Sequence, residues 1–200
     1  MLAQALNYVK YVDKTFLIIV GICVFFLVLI TFLMLFFVIK YNKKRNPKAV
    51  NIHGSTKLEI LWTVIPIFIV LYMFWLGWSG YKVKYKPPKD SMVINVNASM
   101  WQWKFVYNND KKADTLYVPL GKNIKLKLHS LDVNHSFYVP AFRIKEDALP
   151  NKNNIVWFNA EKLGNFAVFC AEYCGLNHSY MRTEVKVVKE KDFNNWLNKK

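Results

Sequence analysis

The sequence has few acidic residues and few cysteines, and both shortages restrict what the chain can be. Its 200 residues include 13 acidic and 28 basic residues, for a net charge of +15, and only three cysteines. Three cysteines are too few for the disulfide framework of a secreted protein of this length. The basic charge alone would suit a nucleic-acid binder, but 54% hydrophobic residues exceed what such a soluble protein normally carries. We therefore expect no nucleic-acid partner, and the absence of a Cys-x2-Cys-His sequence argues against a covalent c-type haem.

Two long uncharged runs account for much of the apolar content. Phe16–Ile39 has 24 residues without a charge and Ile60–Tyr81 has 22. As helices these runs would be about 36 and about 33 Å long, which exceeds the ~30 Å hydrocarbon core of a bilayer. The runs predict two transmembrane helices in contact with the lipid bilayer, and Pro66 predicts a kink or a helix start in the second. Cys23, within the first run, is interpreted as a small apolar residue without chemistry.

The charges beside these runs predict the orientation of the chain. Residues 40–59 carry six basic residues and one acidic residue, which by the positive-inside rule places this loop in the cytoplasm. The basic residues directly after the first run indicate a stop-transfer signal rather than a cleaved signal peptide. We therefore predict an outer-side segment 1–15, a helical hairpin 16–81 with the cytoplasmic loop 40–59, a linker 82–90 and an outer-side domain 91–200.

Short β-rich segments separated by turn residues follow the linker. Eight of them predict strands, which at this spacing indicate a sandwich or a small barrel. A short closing helix is predicted over Asp192–Leu197. The predicted strands are Met92–Val96, Trp101–Tyr107, Thr115–Val118, Ile124–His129, Ser136–Val139, Asn154–Phe158, Asn165–Phe169 and Arg182–Val188.

Sulfur and imidazole side chains are concentrated near the end of the chain. Cys170, Cys174, His178 and Met181 form the pattern Cys-x3-Cys-x3-His-x2-Met, and His135 lies 35 residues before the first of them. This soft donor set suits copper better than zinc, which has little use for methionine. A mononuclear blue copper site needs one cysteine, so the second cysteine suggests two copper ions bridged by two sulfurs. A disulfide between the cysteines, a zinc site and a single copper ion are the alternatives.

With these motifs, the sequence resembles subunit II of the haem–copper cytochrome c oxidases over nearly its whole length. The family pattern Cys-x-Glu-x-Cys-x3-His-x2-Met begins at Cys170, and the family's Asp-x2-His-Ser-aromatic segment begins at Asp132. Residues 59–66 are similar to the family's Glu-x2-Trp-Thr-x2-Pro, and residues 145–150 to its Lys-x-Asp-x2-Pro. The resemblance implies a membrane-anchored α+β fold, in which a two-helix transmembrane hairpin is followed by a cupredoxin-like β-sandwich or barrel.

The resemblance also implies how copper would be bound. Cys170 and Cys174 would bridge the two copper ions of the dinuclear centre called CuA. His135 and His178 would bind one copper ion each, and Met181 would complete one coordination sphere.

Other residues acquire roles from the same resemblance. Glu172 would bind copper through its backbone carbonyl and a Mg²⁺ at the interface with subunit I through its side chain. Trp101 matches the tryptophan through which electrons enter, with the alternative that Trp101 and Trp103 are two aromatics on one face of a strand. Glu59 would deliver protons to a channel of subunit I, or it would be a helix N-terminal carboxylate favoured by the helix dipole. Asn151 replaces the family's usual glycine and can adopt the positive φ expected there.

These roles predict the subunit at which electrons enter a respiratory terminal oxidase. Electrons from cytochrome c would reach CuA and pass to haem in subunit I, where oxygen is reduced to water with proton translocation. The alternatives are a nitric oxide reductase-like complex, a quinol oxidase subunit without copper, and a copper storage or delivery protein.

From residue 82 onward the chain carries 20 basic and 11 acidic residues, a net charge of +9. That charge suggests an acidic donor or docking through an apolar patch around Trp101. The lysine-rich composition favours a bacterial plasma membrane over a mitochondrial inner membrane.

Overall fold

The computed structural model describes residues 8–48, 50–51 and 53–199. These residues divide into two compact units, the first containing residues 11–79 and the second residues 8–10 and 80–199. Part of the predicted segment 1–15 lies outside the described residues, as do residues 49 and 52 of the predicted loop 40–59.

Both uncharged runs are helical, and both helices are longer than predicted. Helix α1 spans Tyr8–Lys40 and helix α2 spans Thr56–Lys84. Pro66 lies inside α2, ten residues after its start, so the alternative in which the helix starts near this proline is wrong. Helix α2 also includes residues 82–84, which are the first three residues of the predicted linker.

Apolar side chains along both helices are mostly exposed. Leu76 is the one buried residue of α2, and its carbonyl accepts a hydrogen bond from the Tyr11 hydroxyl of α1 at 2.9 Å. Both helices are long and apolar enough to cross a membrane. Apolar surface of this extent is unfavourable in water and favourable in hydrocarbon. The first unit therefore has the properties of a membrane anchor.

The described residues of the second unit contain ten strands and one complete α-helix, and the strands form a β-sandwich. The elements are β1 (Met92–Ser99), β2 (Gln102–Val106), β3 (Lys112–Ala113), β4 (Leu116–Pro119), β5 (Asn123–Ser130), β6 (His135–Val139), β7 (Ile144–Ala148), β8 (Asn154–Asn159), β9 (Gly164–Cys170), β10 (Arg182–Val188) and α3 (Glu190–Asn198). One sheet has the strand order β3-β2-β1-β5-β8, and the other has the order β4-β10-β9-β6-β7. The pairs β1–β5 and β4–β10 are parallel, and the remaining pairs are antiparallel.

The core lies between the inner faces of the two sheets. In β1, Ile94 and Val96 are fully buried, whereas Asn95 between them is exposed, as the two-residue period of a strand requires. Trp103 of β2 packs edge-on against Phe137 of β6, with ring centroids 5.3 Å apart. Because protein interiors are close-packed, this core restricts the motion of the strand ends that carry the site.

All eight predicted strands are present, seven with altered ends and Arg182–Val188 with the ends as predicted, and two further strands were missed. Strand β3 has only two residues, which is too short to show a period. Strand β7 carries three charged residues between Ile144 and Ala148, so its sequence is typical of a loop. The strand predicted to start at Trp101 starts at Gln102 instead, and Trp101 lies in the turn before it. The predicted closing helix is present as α3.

The turn between β7 and β8 contains the asparagine that replaces the expected glycine. Asn151 has a φ of 60°, which is in the left-handed region. The turn is closed by a β-bridge between Leu149 and Lys152 and by a hydrogen bond from the Asn154 side chain to the Asp147 carbonyl at 2.8 Å. The prediction that asparagine preserves the positive φ is confirmed, because asparagine pays a smaller penalty there than most residues.

Candidate metal centre

Neighbouring strands of one sheet bring the predicted copper ligands to one end of the sandwich. His135 is the first residue of β6 and Cys170 is the last residue of β9, and these two strands are paired. Cys174 lies in the loop after β9, and His178 begins a 3₁₀ helix that ends directly before Met181. Ligands that are far apart in sequence are therefore adjacent in the fold.

Backbone hydrogen bonds hold this ligand loop against the sheet. The Cys170 amide donates to the Met181 carbonyl at 3.1 Å, and the Ala171 amide donates to the Ser136 carbonyl at 3.0 Å. Gly175 has a φ of 112°, a conformation that a side chain would strain, and its carbonyl accepts from the His178 amide at 3.1 Å. The ligand loop is thus fixed at its two ends and at its turn.

The donor atoms form a continuous cluster. The sulfurs of Cys170 and Cys174 are 3.8 Å apart. His135 Nδ1 is 3.8 Å from the Cys170 sulfur, and His178 Nδ1 is 3.5 Å from the Cys174 sulfur. The Met181 sulfur is 3.8 Å from the Cys174 sulfur. Each thiol therefore has its own imidazole, and the two thiols face one another.

Glu172 contributes to the cluster through its backbone and not through its carboxylate. Its carbonyl oxygen is 3.3 Å from the Cys170 sulfur. Its carboxylate points away and forms an ion pair with Lys145 Nζ at 3.3 Å, with 45% of the Glu172 side chain exposed. The carbonyl is thus available to a metal ion, and the carboxylate is presented at the surface.

The donor set fits a pair of copper ions. A disulfide bond is about 2.05 Å long, so the 3.8 Å between the two sulfurs excludes a disulfide in this structure, and all three cysteines are free. A metal–thiolate bond is about 2.3 Å long, so one ion can bond both sulfurs across this separation. The second imidazole, that of His178, is 3.5 Å from the Cys174 sulfur and is available as a ligand to a second ion. Thiolate, thioether and imidazole are the ligands that copper prefers.

The cluster is largely shielded from solvent. The side chains of His135, Cys170, Cys174 and Met181 are buried, and that of His178 is partly exposed. Burial, together with the neighbouring Cys170 thiol, raises the pKa of the Cys174 thiol well above its ordinary value. The metal-free cluster therefore holds a protonated thiol near neutral pH.

Asp132 orients His135, one of the predicted ligands, and the sequence alone did not suggest this role. Its carboxylate oxygens lie 2.8 Å from His135 Nε2 and 2.7 Å from the Met100 amide. The bond at Nε2 leaves Nδ1, which faces Cys170, free to bind metal. Burial alone would raise the pKa of Asp132, but hydrogen bonds from Met100, His135 and Val133 outweigh it and hold the pKa below its usual value. The sequence did contain a signal for this role, because an acidic residue stands three positions before the predicted ligand histidine.

Trp101 lies against the ligand loop. Its Nε1 donates a hydrogen bond to the Cys174 carbonyl at 3.1 Å, and its ring packs on Gly175, where an added Cβ would be 3.4 Å from the indole. Trp103 is instead buried in the core, with its ring centroid 6.2 Å from that of His135. Trp101 lies in the turn before β2, so the two-residue period of the strand does not relate its direction to that of Trp103.

Glu59 belongs to the other unit. It lies in the first turn of α2, it is exposed, and its amide donates to the Ser55 carbonyl at 3.0 Å. An acid is favourable at this position because helix N-termini carry partial positive charge. Its role in proton delivery stays a prediction.

Two family models match the chain in sequence. The model described as cytochrome C oxidase subunit II, transmembrane domain, matches residues 3–76. The model described as cytochrome C oxidase subunit II, periplasmic domain, matches residues 108–188, which include all six residues of the donor cluster.

Individual relatives give the same result. A protein of Rickettsia bellii described as probable cytochrome c oxidase subunit 2 is 29% identical over 82% of this chain and 70% of its own length. Cytochrome c oxidase subunit 2 of Alkalihalophilus pseudofirmus is 32% identical over 90% of this chain, which spans only 56% of that protein. The crystal structure of the periplasmic domain of subunit II of cytochrome oxidase from Bradyrhizobium japonicum is 32% identical, with a TM-score of 0.52, and the match covers 56% of this chain and 94% of that one.

Proposed function

Because this chain belongs to the family of cytochrome c oxidase subunit II, we propose that electrons enter a respiratory haem–copper oxidase through it. The family is a component of an oxidoreductase complex, and the two apolar helices anchor the chain in a membrane. In the proposal, the cupredoxin-like sandwich accepts electrons from cytochrome c at a dinuclear copper centre. The electrons then pass to haem in subunit I, which reduces oxygen to water.

The observation that supports this proposal is the row of donor atoms from His135 through Cys170 and Cys174 to His178. Its neighbouring atoms are 3.5–3.8 Å apart, and each cysteine has one histidine. A copper pair held by these residues would supply a one-electron relay that changes its charge without making or breaking covalent bonds. The residues proposed to hold it are His135, Cys170, Glu172 through its carbonyl, Cys174, His178 and Met181.

The protein's contribution is to keep this ligand set still. Strand ends carry His135 and Cys170, and Asp132 holds the His135 ring in one orientation by its hydrogen bond to Nε2. Burial of the sulfurs keeps water away from the ligands. A ligand set that does not rearrange lowers the cost of changing the charge of the site, which is what an electron relay requires.

The arrangement in the membrane and the remaining partners are part of the proposal. The basic residues of the loop 40–59 favour a cytoplasmic position for that loop, so the sandwich would lie on the outer side of a bacterial plasma membrane. The exposed carboxylate of Glu172 would exchange Lys145 for a Mg²⁺ at the interface with subunit I. Glu59 would deliver protons to a channel of subunit I.

Copper analysis of the full chain in detergent tests the proposal. We expect two copper ions per chain after loading, with a delocalised mixed-valence spectrum. Cys174→Ser should remove one bridge, so the copper content should fall and the spectrum should become localised. Cys23→Ser is the matched control, because Cys23 lies in α1 outside the cluster, and this variant should keep both ions.

Two results would contradict the proposal. One copper ion, or zinc in its place, in a saturated sample would exclude a dinuclear copper centre. A chain that binds no copper would instead resemble the quinol oxidase relatives that lack it.

A further inference from the structure

A polar cavity lies on the surface of the sheet that contains β1, β5 and β8, on the side facing away from the core. Its volume is about 350 Å³, and we name it the β1–β5 cavity. Small-molecule pockets have volumes of about 300–1,000 Å³, so the cavity has room for a small ligand. Its lining consists of Asn95, Asn97, Lys127, His129 and Asn153, none of which belongs to the donor cluster.

The register of three chain segments brings these side chains together. In the parallel pair of β1 and β5, Asn95 is the partner of Lys127 and Asn97 is the partner of His129. Residues two apart in a strand point to the same face, and the residue between each of these pairs is buried in the core. Asn153 directly precedes β8, the other neighbour of β5, and the continued register of that pair places it opposite His129. His129 therefore lies between two carboxamides.

The polar groups that line the β1–β5 cavity have no partners among the residues that the structure describes. His129 Nδ1 is buried and accepts or donates no hydrogen bond. The side chains of Lys127 and of the three asparagines form no hydrogen bond or ion pair with another described residue. A shielded polar atom without a partner costs free energy, and a ligand that bonds to it recovers that cost. The lining thus has the hydrogen-bonding capacity of a binding site.

The charge of this sheet favours an anion over a cation. None of its five strands contains an acidic residue, whereas together they carry four lysines. Within the β1–β5 cavity, Lys127 supplies a positive charge that would repel a metal ion. Each carboxamide offers two N–H donors, the ammonium group offers three, and the imidazole of His129 donates from at least one nitrogen. Donors therefore outnumber acceptors in the lining.

We propose that the β1–β5 cavity binds a phosphate group, either as inorganic phosphate or as part of a phosphomonoester. A phosphate group presents at least three acceptor oxygens in a tetrahedral arrangement, which suits donors that come from three chain segments, whereas a carboxylate presents two oxygens in one plane. Lys127 provides the point charge, and the carboxamides and the imidazole provide the directed hydrogen bonds. The proposed site does not depend on the proposed function, since it shares no residue with the donor cluster.

Nuclear magnetic resonance of the full chain in non-ionic detergent, with labelled histidine, tests the proposal with inorganic phosphate. The chain has four histidines, so few ring signals are present, and His129→Gln assigns the signal of interest. With ionic strength held constant by chloride, the His129 signal should shift and saturate with a Kd below about 1 mM. The signal of His53, in the loop between α1 and α2, should not move. No shift of the His129 signal, or a shift that does not saturate, would overturn the proposal.

A matched pair of lysine variants separates a defined site from general attraction. Lys127→Gln removes the charge of the lining, and Lys125→Gln removes the same charge from the same face of β5 outside the lining. Lys127→Gln should weaken phosphate binding by about tenfold or more, and Lys125→Gln by less than about twofold. Equal effects would show diffuse attraction to a basic sheet, and the proposed site would be wrong.

An isosteric variant tests the role of the carboxamides. Asn97→Asp keeps the shape of the side chain but replaces two donors beside His129 by a negative charge. Phosphate binding should be lost, because the anion would meet a carboxylate without donors. Unchanged binding in Asn97→Asp would exclude the β1–β5 cavity as the binding site.

Two further titrations identify the source of the phosphate group. One uses glycerol phosphate in solution, and the other uses the chain in phosphatidylcholine nanodiscs with and without phosphatidic acid. A shift of the His129 signal with glycerol phosphate identifies a soluble phosphomonoester, and a shift with phosphatidic acid alone identifies a lipid headgroup. A response limited to inorganic phosphate identifies the free ion. Copper loading is not needed for any of these measurements, so failure of the proposed function would leave their result unaffected.

Discussion

The indole of Trp101 donates a hydrogen bond to the backbone carbonyl of Cys174, at a distance of 3.1 Å between Nε1 and the oxygen. The Cys174 sulfur lies at the centre of the donor cluster, between Cys170, His178 and Met181. One hydrogen bond and a few covalent bonds therefore connect a partly buried aromatic ring with a proposed copper ligand. This contact provides a short path for electrons from Trp101, the proposed site of electron entry, to the proposed copper centre.

Trp101→Phe should slow electron acceptance and leave the copper centre unchanged. Phenylalanine keeps an aromatic ring but cannot donate to the Cys174 carbonyl, so the hydrogen-bonded route is lost. We expect the rate of reduction by a cytochrome to fall by orders of magnitude, while reduction by a small reductant such as ascorbate is preserved. Stopped-flow absorbance on the copper-loaded chain measures both rates.

The outcome that would contradict this prediction is an unchanged cytochrome rate in Trp101→Phe. Trp103→Phe serves as the comparison, since this residue is buried and packs on Phe137. Its replacement should reduce stability rather than electron acceptance.

Asp132→Asn should weaken copper retention. The amide can still contact His135, but its NH₂ group cannot accept the hydrogen bond from the Met100 amide, and the negative charge beside the imidazole is lost. Loss of such a partner of a ligand histidine typically costs about 10–100-fold in metal affinity. A chelator competition measures the change, and Asp114→Asn, which removes an exposed acid paired with Lys104, should show no such loss.

Copper binding should release protons, and its apparent affinity should rise with pH. Burial raises the pKa of the Cys174 thiol, so the metal-free thiol is protonated near neutral pH and must lose its proton to become a ligand. Calorimetric titrations in buffers of different ionisation enthalpy measure the number of protons released. Cys174→Ser should release fewer, and binding that is independent of pH between about 6 and 8 would contradict the expectation.

Tyr107→Phe should destabilise the sandwich and reduce its sensitivity to alkali. The Tyr107 hydroxyl donates to the Tyr117 carbonyl at 3.0 Å and accepts from the Tyr117 amide at 2.8 Å, and losing both bonds should cost about 1–3 kcal/mol. Burial raises the pKa of Tyr107 above its ordinary value of about 10. The unfolded state therefore ionises first, so stability falls as pH rises above about 10.

Denaturant unfolding of the full chain at several pH values measures this effect. The alkaline loss of stability should be smaller in Tyr107→Phe than in the unmodified chain. Tyr117→Phe is the control, because it keeps the backbone groups that Tyr107 contacts, and a loss of stability equal to that of Tyr107→Phe would contradict the proposed cause.

Glu59→Ala should lower the turnover of the assembled oxidase and change its dependence on pH. This follows if Glu59 delivers protons, whereas a role limited to the helix N-terminus would cost only about 0.3–1 kcal/mol of helix stability. Oxygen consumption across a pH series measures the difference. Unchanged turnover with an unchanged pH profile would leave Glu59 with the helix role alone.

Local patterns were sufficient to predict the helices, most strands and the residues that the fold gathers in the donor cluster. Uncharged runs of this length have few alternatives to a membrane helix, and the spacing of the cysteines, His178 and Met181 places them on one loop wherever that loop lies. Strand β7 was missed because its charged residues conceal its pairing with β6, which depends on a neighbour rather than on its own sequence.

The sequence by itself determined which residues are chemically able to bind copper and which runs are apolar enough to enter a membrane. The tertiary structure decided which of these residues meet. Pairing of β6 with β9 places His135 beside Cys170 across 35 residues of chain, and the turn before β2 directs Trp101 onto Gly175 while Trp103 enters the core. Asp132 has a role only because the fold places His135 and Met100 on its two oxygens. Such contacts join distant parts of the chain, so no local period or spacing can encode them.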